Sequence, residues 1–346
     1  MWALGLHLLI GNAVIGIGEG LLLTRFFSVR AYTSVPLMIV ANYASAWAGW
    51  GMLQTPALRP SPLDALSATL ENGWAWFWVL LAAAYVATLV LEWPFVVLCV
   101  YRRQGWFRRS VRASLVVQSA SYLVLFGWYW LVSPTSLYTQ MHIVAPSALA
   151  LPENVVVYYF SADGGDVYKR RVSGGAAEKI CELGSHLGDD RLLVRRNDAD
   201  EKLWDLVARV DPDRCPGGGL VAVLTGLAVE AAPESRFESD PDSWEGTRYN
   251  FGDAPRLGSA AGEWDFEAGF WSVQGLTAVR RKSDERVQFA FATPFGEWFV
   301  RNAIALPTDK VLFQLGADQI CAFDPATRRV ALLWRGRGAV AVIEHR

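Results

Sequence analysis

Residues 2–27 read WALGLHLLIGNAVIGIGEGLLLTRFF. At about 1.5 Å per residue, a helix over 2–24 would span the ~30 Å hydrocarbon core of a bilayer. The stretch lacks a basic n-region and a small-residue cleavage site, so it reads as a retained helix and not a signal peptide. It nevertheless carries a carboxylate, Glu19. A charge within a span costs roughly 2.5–3.5 kcal/mol on insertion scales and is expected to face protein or water.

Three more runs reach span length, at 34–53, 74–101 and 114–132. They predict a four-helix transmembrane bundle over residues 1–132. Charge divides the chain in the same place. Residues 1–152 hold 8 of the 32 basic and 4 of the 34 acidic groups. The rest carries the remainder and reads as a water-facing domain.

Arginine placement predicts orientation. Arg25 and Arg30 lie in the first predicted loop. Arg102, Arg103, Arg108, Arg109 and Arg112 fill a predicted basic loop at 102–113. The opposite side has only Arg59, and no further Lys or Arg follows Arg112 until Lys169. The basic side is expected to be cytoplasmic, placing both termini and the second half outside a bacterial inner membrane. Neither half shows a basic face with interleaved aromatics, which argues against nucleic acid.

Polar residues within the spans recur at helical spacing. Asn12, Gly16, Glu19 and Gly20 share one face of the first span, with Gly16 and Gly20 in a GxxxG packing pattern. Asn42, Ser45 and Gly49 share a face of the second. Tyr85, Thr88 and Glu92 share one in the third, and Ser114, Gln118, Ser121 and Tyr122 one in the fourth. Counted from the arginines at about 1.5 Å per residue, Glu19, Asn42, Glu92 and Gln118 fall at similar depth. They predict an intramembrane polar layer of Asn12, Glu19, Asn42, Glu92, Gln118 and Tyr122. Two uses fit such a layer. One is a proton or cation site on paired carboxylates; the other is a network of protonated carboxyls holding helices in register.

The segment Asn12 to Thr24, NAVIGIGEGLLLT, resembles a helix in the membrane component of energy-coupling cobalt and nickel uptake transporters. The resemblance covers about a dozen residues. Asn12 stands where that family has a His, and Met141-His142-Ile143 is internal rather than at a free amino terminus. The resemblance therefore carries no metal ligands over.

Residues 133–153, with Pro134, Pro146 and Pro152, read as an ordered connection lying on the outer face of the bundle through Leu137, Tyr138, Met141 and Ile143. From residue 154 the hydrophobic period becomes two, and short strands such as VVVYYF and KVLFQL alternate with Gly, Asp, Pro and Asn turns. An all-β extracytoplasmic domain over 154–346 is expected. Asp163–Gly175 and Ala317–Val330 read as hairpins that resemble those of β-propeller blades, which implies a propeller-like domain; a β-sandwich is the alternative. Residues 229–264 read as a long surface loop.

No nucleophile elbow, phosphate loop, HExxH or paired CxxC is present. No catalytic residue, metal ligand or cofactor is assigned. Residues 197–201, NDADE, lack the calcium-loop Gly and Glu and read as a turn. Cys181, Cys215 and Cys321 are in the exported half, where a disulfide is permitted, Cys181 with Cys321 being one choice. The sequence predicts a membrane protein whose β-domain binds a membrane or extracytoplasmic protein partner or ligand. The alternative is an ion- or proton-coupled transporter subunit using Glu19 and Glu92.

Overall fold

The structure is a computed structural model that describes residues 10–53, 62–185, 190–210, 220–233, 251–258 and 262–345. The chain forms two compact units, Met1–Ala68 with Asn72–Ser133, and Thr69–Glu71 with Pro134–Arg346. The first is helical and the second β-rich.

The helical unit has four long helices, α1 (Asn12–Phe27), α2 (Ala31–Leu53), α3 (Gly73–Val100) and α4 (Trp106–Val132). α1 and α3 each pack against both α2 and α4. α1 stops where Ser28 turns left-handed, at φ 55°, and bonds back to the Leu23 carbonyl. α2 runs through Pro36 and α3 through Pro94. The predicted basic loop is shorter than expected. Gly105, at φ 65°, ends the turn, and α4 starts at Trp106. Arg108, Arg109 and Arg112 are thus helical, as good helix formers can be once the turn is closed.

Burial in this unit is inverted relative to a water-soluble bundle. Glu19, Asn42, Glu92 and Gln118 are buried, while Val14, Val40, Val90, Leu123 and Leu131 are exposed. Two of the described helices, α3 and α4, are long and apolar enough to cross a membrane.

The β unit begins with β1 (His142–Ile143). β2 (Val155–Phe160), β3 (Val167–Arg171) and β4 (Glu178–Cys181) form an antiparallel run. So do β5 (Arg191–Arg196), β6 (Trp204–Arg209) and β7 (Leu220–Leu227). After β8 (Val229–Ala231) come β9 (Gly252–Asp253), β10 (Trp264–Ala268), β11 (Leu276–Arg280) and β12 (Arg286–Phe289) as a third sheet. A hairpin follows, β13 (Phe291–Thr293) with β14 (Gly296–Trp298). Then come β15 (Val300–Ala305), β16 (Val311–Leu315), β17 (Gln319–Asp324) and β18 (Arg329–Arg335). The last strand, β19 (Arg337–Glu344), leaves its predecessor. It lies antiparallel to β2, with Ile343 opposite Val155 and Val340 opposite Tyr158, and takes β8 on its other edge. A core of Val155, Val157, Phe160, Leu206, Leu312, Ile320 and Val342 joins the sheets that hold β2 and β19, β6, and β16 and β17.

Several expectations change here. Asp163–Gly175 is one strand, β3, between two turns, because glycines at both ends interrupt the ladder. β10 and β11 lie where no strand was assigned, although Trp264–Ala268 alternates apolar and acidic residues and buries its apolar side. The predicted loop 229–264 opens with β8, which the last strand recruits as its edge. Residues 234–250 of that loop lie outside the described residues. In the connection, Leu137 and Tyr138 belong to the β unit: Tyr138 stacks edge-on against Phe291 at 5.2 Å, and Leu137 N–H bonds to the Ala290 carbonyl. Ile143 pairs in parallel with Val330 of β18.

Thr69–Glu71 also belongs to the β unit. Leu70 is wholly buried, its N–H donates to Gln319 Oε1 at 2.6 Å, and its carbonyl accepts from the Tyr138 hydroxyl at 3.0 Å. Leu70→Ala is expected to destabilise the β unit by about 2–4 kcal/mol, as for other buried leucines. Thermal unfolding followed by β-sheet circular dichroism checks this; an unchanged midpoint would show that Leu70 is not seated there.

Candidate functional site: a buried carboxylate pair

Glu19 on α1 and Glu92 on α3 are each 1% exposed. Asn42 Nδ2 donates to Glu19 Oε2 at 2.5 Å, and Ser121 Oγ donates to Oε1 at 2.5 Å. Ser45 Oγ donates to Glu92 Oε1 at 2.6 Å, and Gln118 Nε2 donates to Oε2 at 2.5 Å. All four carboxylate oxygens therefore accept a side-chain hydrogen bond from a neighbouring helix. α2 supplies Asn42 and Ser45, and α4 supplies Gln118 and Ser121. Each pair is spaced i, i+3, so one face of α2 and one face of α4 serve both acids, about one turn apart. Buried polar groups are costly unless satisfied, and a fully bonded set fixes one arrangement of its helices.

Close approach of α1 and α2 makes these bonds possible. A Cβ added to Gly16 would lie 2.6 Å from Ile39 Cα, and one on Gly20 2.6 Å from Val35 Cα. The backbones touch where any side chain would part them. Ser34 Oγ donates to the Gly20 carbonyl at 2.8 Å, a contact the sequence faces did not include.

The remaining predicted residues divide. Asn12 is buried on the same face of α1. Tyr122 does not bond to either acid. Its hydroxyl pairs with Thr88 Oγ1 at 2.9 Å, and its ring meets Tyr85 edge-on at 5.0 Å. Its neighbour Ser121 holds the donor position at Glu19 instead. The arginines are not one patch. Arg103 donates to the Ser28 carbonyl at 3.1 Å, and Arg109 donates to that of Phe27. Both satisfy carbonyls at the C-terminal end of α1, where cations are favoured. Arg102 lies over the Tyr101 ring, and Arg108 and Arg112 are exposed.

The β unit has its own buried polar group. Ser185 Oγ donates to Asp190 at 2.6 Å, and Arg337 donates to the Ser185 carbonyl. Burial, with Arg209 opposite, lowers Arg191 to about 10, which leaves it cationic at neutral pH. These groups tie β5 to the start of β19. Residues 197–201 form the turn from β5 to β6, with Asn197 Oδ1 accepting from the N–H groups of Ala199 and Asp200. Cys181 and Cys321 are free thiols in different sheets, so that choice of pairing is not formed. Cys215 lies outside the described residues.

Comparison of the chain with protein-family models, with curated proteins and with solved structures finds no match, so its function rests on this geometry.

Proposed function

We propose that the chain is an integral membrane protein in which all four long helices cross the bilayer of a bacterial inner membrane. In this reading the β unit is a propeller-like platform outside the cytoplasm that binds a partner protein or ligand. The observation that carries the membrane part is the inverted burial, acids and amides inside and aliphatic side chains outside. Pairing of β19 with β2 supports the propeller-like reading, because the chain's late strand closes onto its early one. The platform role is an analogy at the level of fold.

The bonding of Glu19 and Glu92 favours an anchor over a transport path, since every acceptor oxygen is engaged by a fixed neutral donor. Glutamine can replace either acid. Its carbonyl accepts from Asn42 or Gln118, and its amide donates to the hydroxyl of Ser121 or Ser45. Glu19→Gln with Glu92→Gln is therefore expected to fold within about 1 kcal/mol of wild type. Glu19→Leu, which strands two buried donors, should cost roughly 1–3 kcal/mol for each. Thermal unfolding of the purified variants checks this.

The functional test pairs two readouts. Photo-crosslinking in the native membrane should give a partner adduct that persists in the double glutamine variant and disappears without residues 154–346. Proteoliposomes should show no proton or cation flux. A flux abolished by the glutamine variants, or an adduct that survives loss of the β unit, would overturn the proposal in favour of transport.

A further inference from the structure

The described residues of the β unit leave four large apolar side chains exposed, and three lie together: Phe270 at 44%, Trp271 at 58% and Val273 at 51%. They occupy the loop joining β10 to β11. The loop is well braced. Gly269 N–H bonds to the Gly275 carbonyl at 2.8 Å, and Gln274 N–H to that of Trp271 at 2.9 Å. Ser272 Oγ donates to Glu297 on β14. Phe270 meets Phe251 and Trp271 edge-on, at 5.0 and 4.9 Å. Rings held in place yet left bare are the signature of a surface built to be covered.

The loop's place in the unit identifies the cover. Gly275 is pressed against the end of β12, where a Cβ would fall 1.9 Å from the Phe289 carbonyl oxygen and 2.8 Å from Ala290 Cα. Ala290 bonds to Ser136 and Leu137, and Ala292 N–H to the Pro134 carbonyl. Pro134 is two residues past the end of α4. In the same segment Tyr138 bonds to Leu70, three residues before α3. The three points where the chain crosses between the units, at 68/69, 71/72 and 133/134, thus adjoin segments of the β unit that are bonded to one another and to the edge that carries the loop. The turn at 281–285 is at the other end of the same sheet.

We propose that this loop seats Phe270, Trp271 and Val273 in the lipid interface of the bilayer. This rests on the reading that the helices cross a membrane. Aromatic side chains concentrate at that level, where the ring is apolar and the indole N–H is wet. Loop residues 269–275, GFWSVQG, carry no charge of either sign, so the attraction is apolar insertion and does not depend on lipid headgroup charge.

The test uses the full chain in phosphatidylcholine nanodiscs containing spin-labelled lipid. A fluorescent amino acid is introduced by suppression at position 271, with a second variant at 273 in case the first misfolds. Controls sit at Lys282, at the far end of the sheet, and at Leu123 on α4. Probes at 271 or 273 should be quenched severalfold more than at 282, equally in zwitterionic and anionic lipid. If 123 is quenched and 271 and 273 match 282, the membrane reading stands and the loop proposal falls. Shielding of 271 from aqueous iodide without quenching by lipid would assign the loop to a protein partner and also overturn it. No quenching at 123 would remove the membrane reading and this one with it.

Discussion

Deleting residues 337–346 should leave the β unit unable to fold while the helices form. Gly338 to Ile343 are all buried, and β19 is flanked by β2 and β8. Removing Val340, Val342 and Ile343 alone forfeits roughly 5–9 kcal/mol of apolar burial, at about 1.5–3 kcal/mol per side chain. That is comparable with the roughly 5–15 kcal/mol that holds a whole domain. β2, buried along its entire length, would also lose one of its two ladder partners, keeping only β3. Arg337 would no longer hold the Ser185 segment. Limited proteolysis of the detergent-solubilised variant should degrade the region beyond Pro134 and spare the helical unit. Wild-type resistance in that region would refute the central role given to β19.

Gly16→Leu should disrupt the helical unit most severely of any single substitution there. Ile39 Cα and N lie 2.6 and 2.7 Å from the added Cβ, and backbone cannot rotate aside. Overpacking typically costs about 1–3 kcal/mol, and here α1 must also retreat from Asn42. The 2.5 Å bond between Asn42 and Glu19 would be lost, exposing buried polar groups to a further penalty of about 1–3 kcal/mol. Gly18 is the internal control. It has open space around its Cβ position, so Gly18→Ala should be neutral or stabilise by up to about 1 kcal/mol through helix propensity. Unfolding followed at 222 nm should separate the two. Equal midpoints for Gly16→Leu and Gly18→Ala would mean that the α1–α2 contact is not tight.

The contrast between these glycines was half legible in the sequence. The spacing of Gly16 and Gly20 marked a packing face, because small residues four apart stack on one side of a helix. The depth count put Glu19, Asn42, Glu92 and Gln118 together for a similar reason, since rise per residue is fixed. Which donor serves which acid was not legible. Ser45 and Ser121 were on the right faces, but a serine in an apolar span gives no hint of its partner. Tyr122 was placed in the layer with the acids, but its hydroxyl goes to Thr88. In the β half, alternation exposed the long strands. It did not expose β8, which is three residues long and exists because β19 offers it an edge. Leu70 could not be assigned at all, since its bond to Gln319 spans 249 residues. Long-range pairing of this kind leaves no local pattern.

The position of β19 also sets an order of events during synthesis. Every other described strand leaves the ribosome before the one that β2 requires. β2 must therefore wait, with one edge unpaired and its aliphatic and aromatic side chains only partly covered, while some 180 further residues are made. Closure across so long a separation is slow relative to local hairpins, because loop entropy is spent before the contact is gained. A nascent chain of this design has an obligatory interval in which one sheet lacks its inner partner. Its exposure to proteases and to self-association is concentrated there, and ends when the last strand arrives.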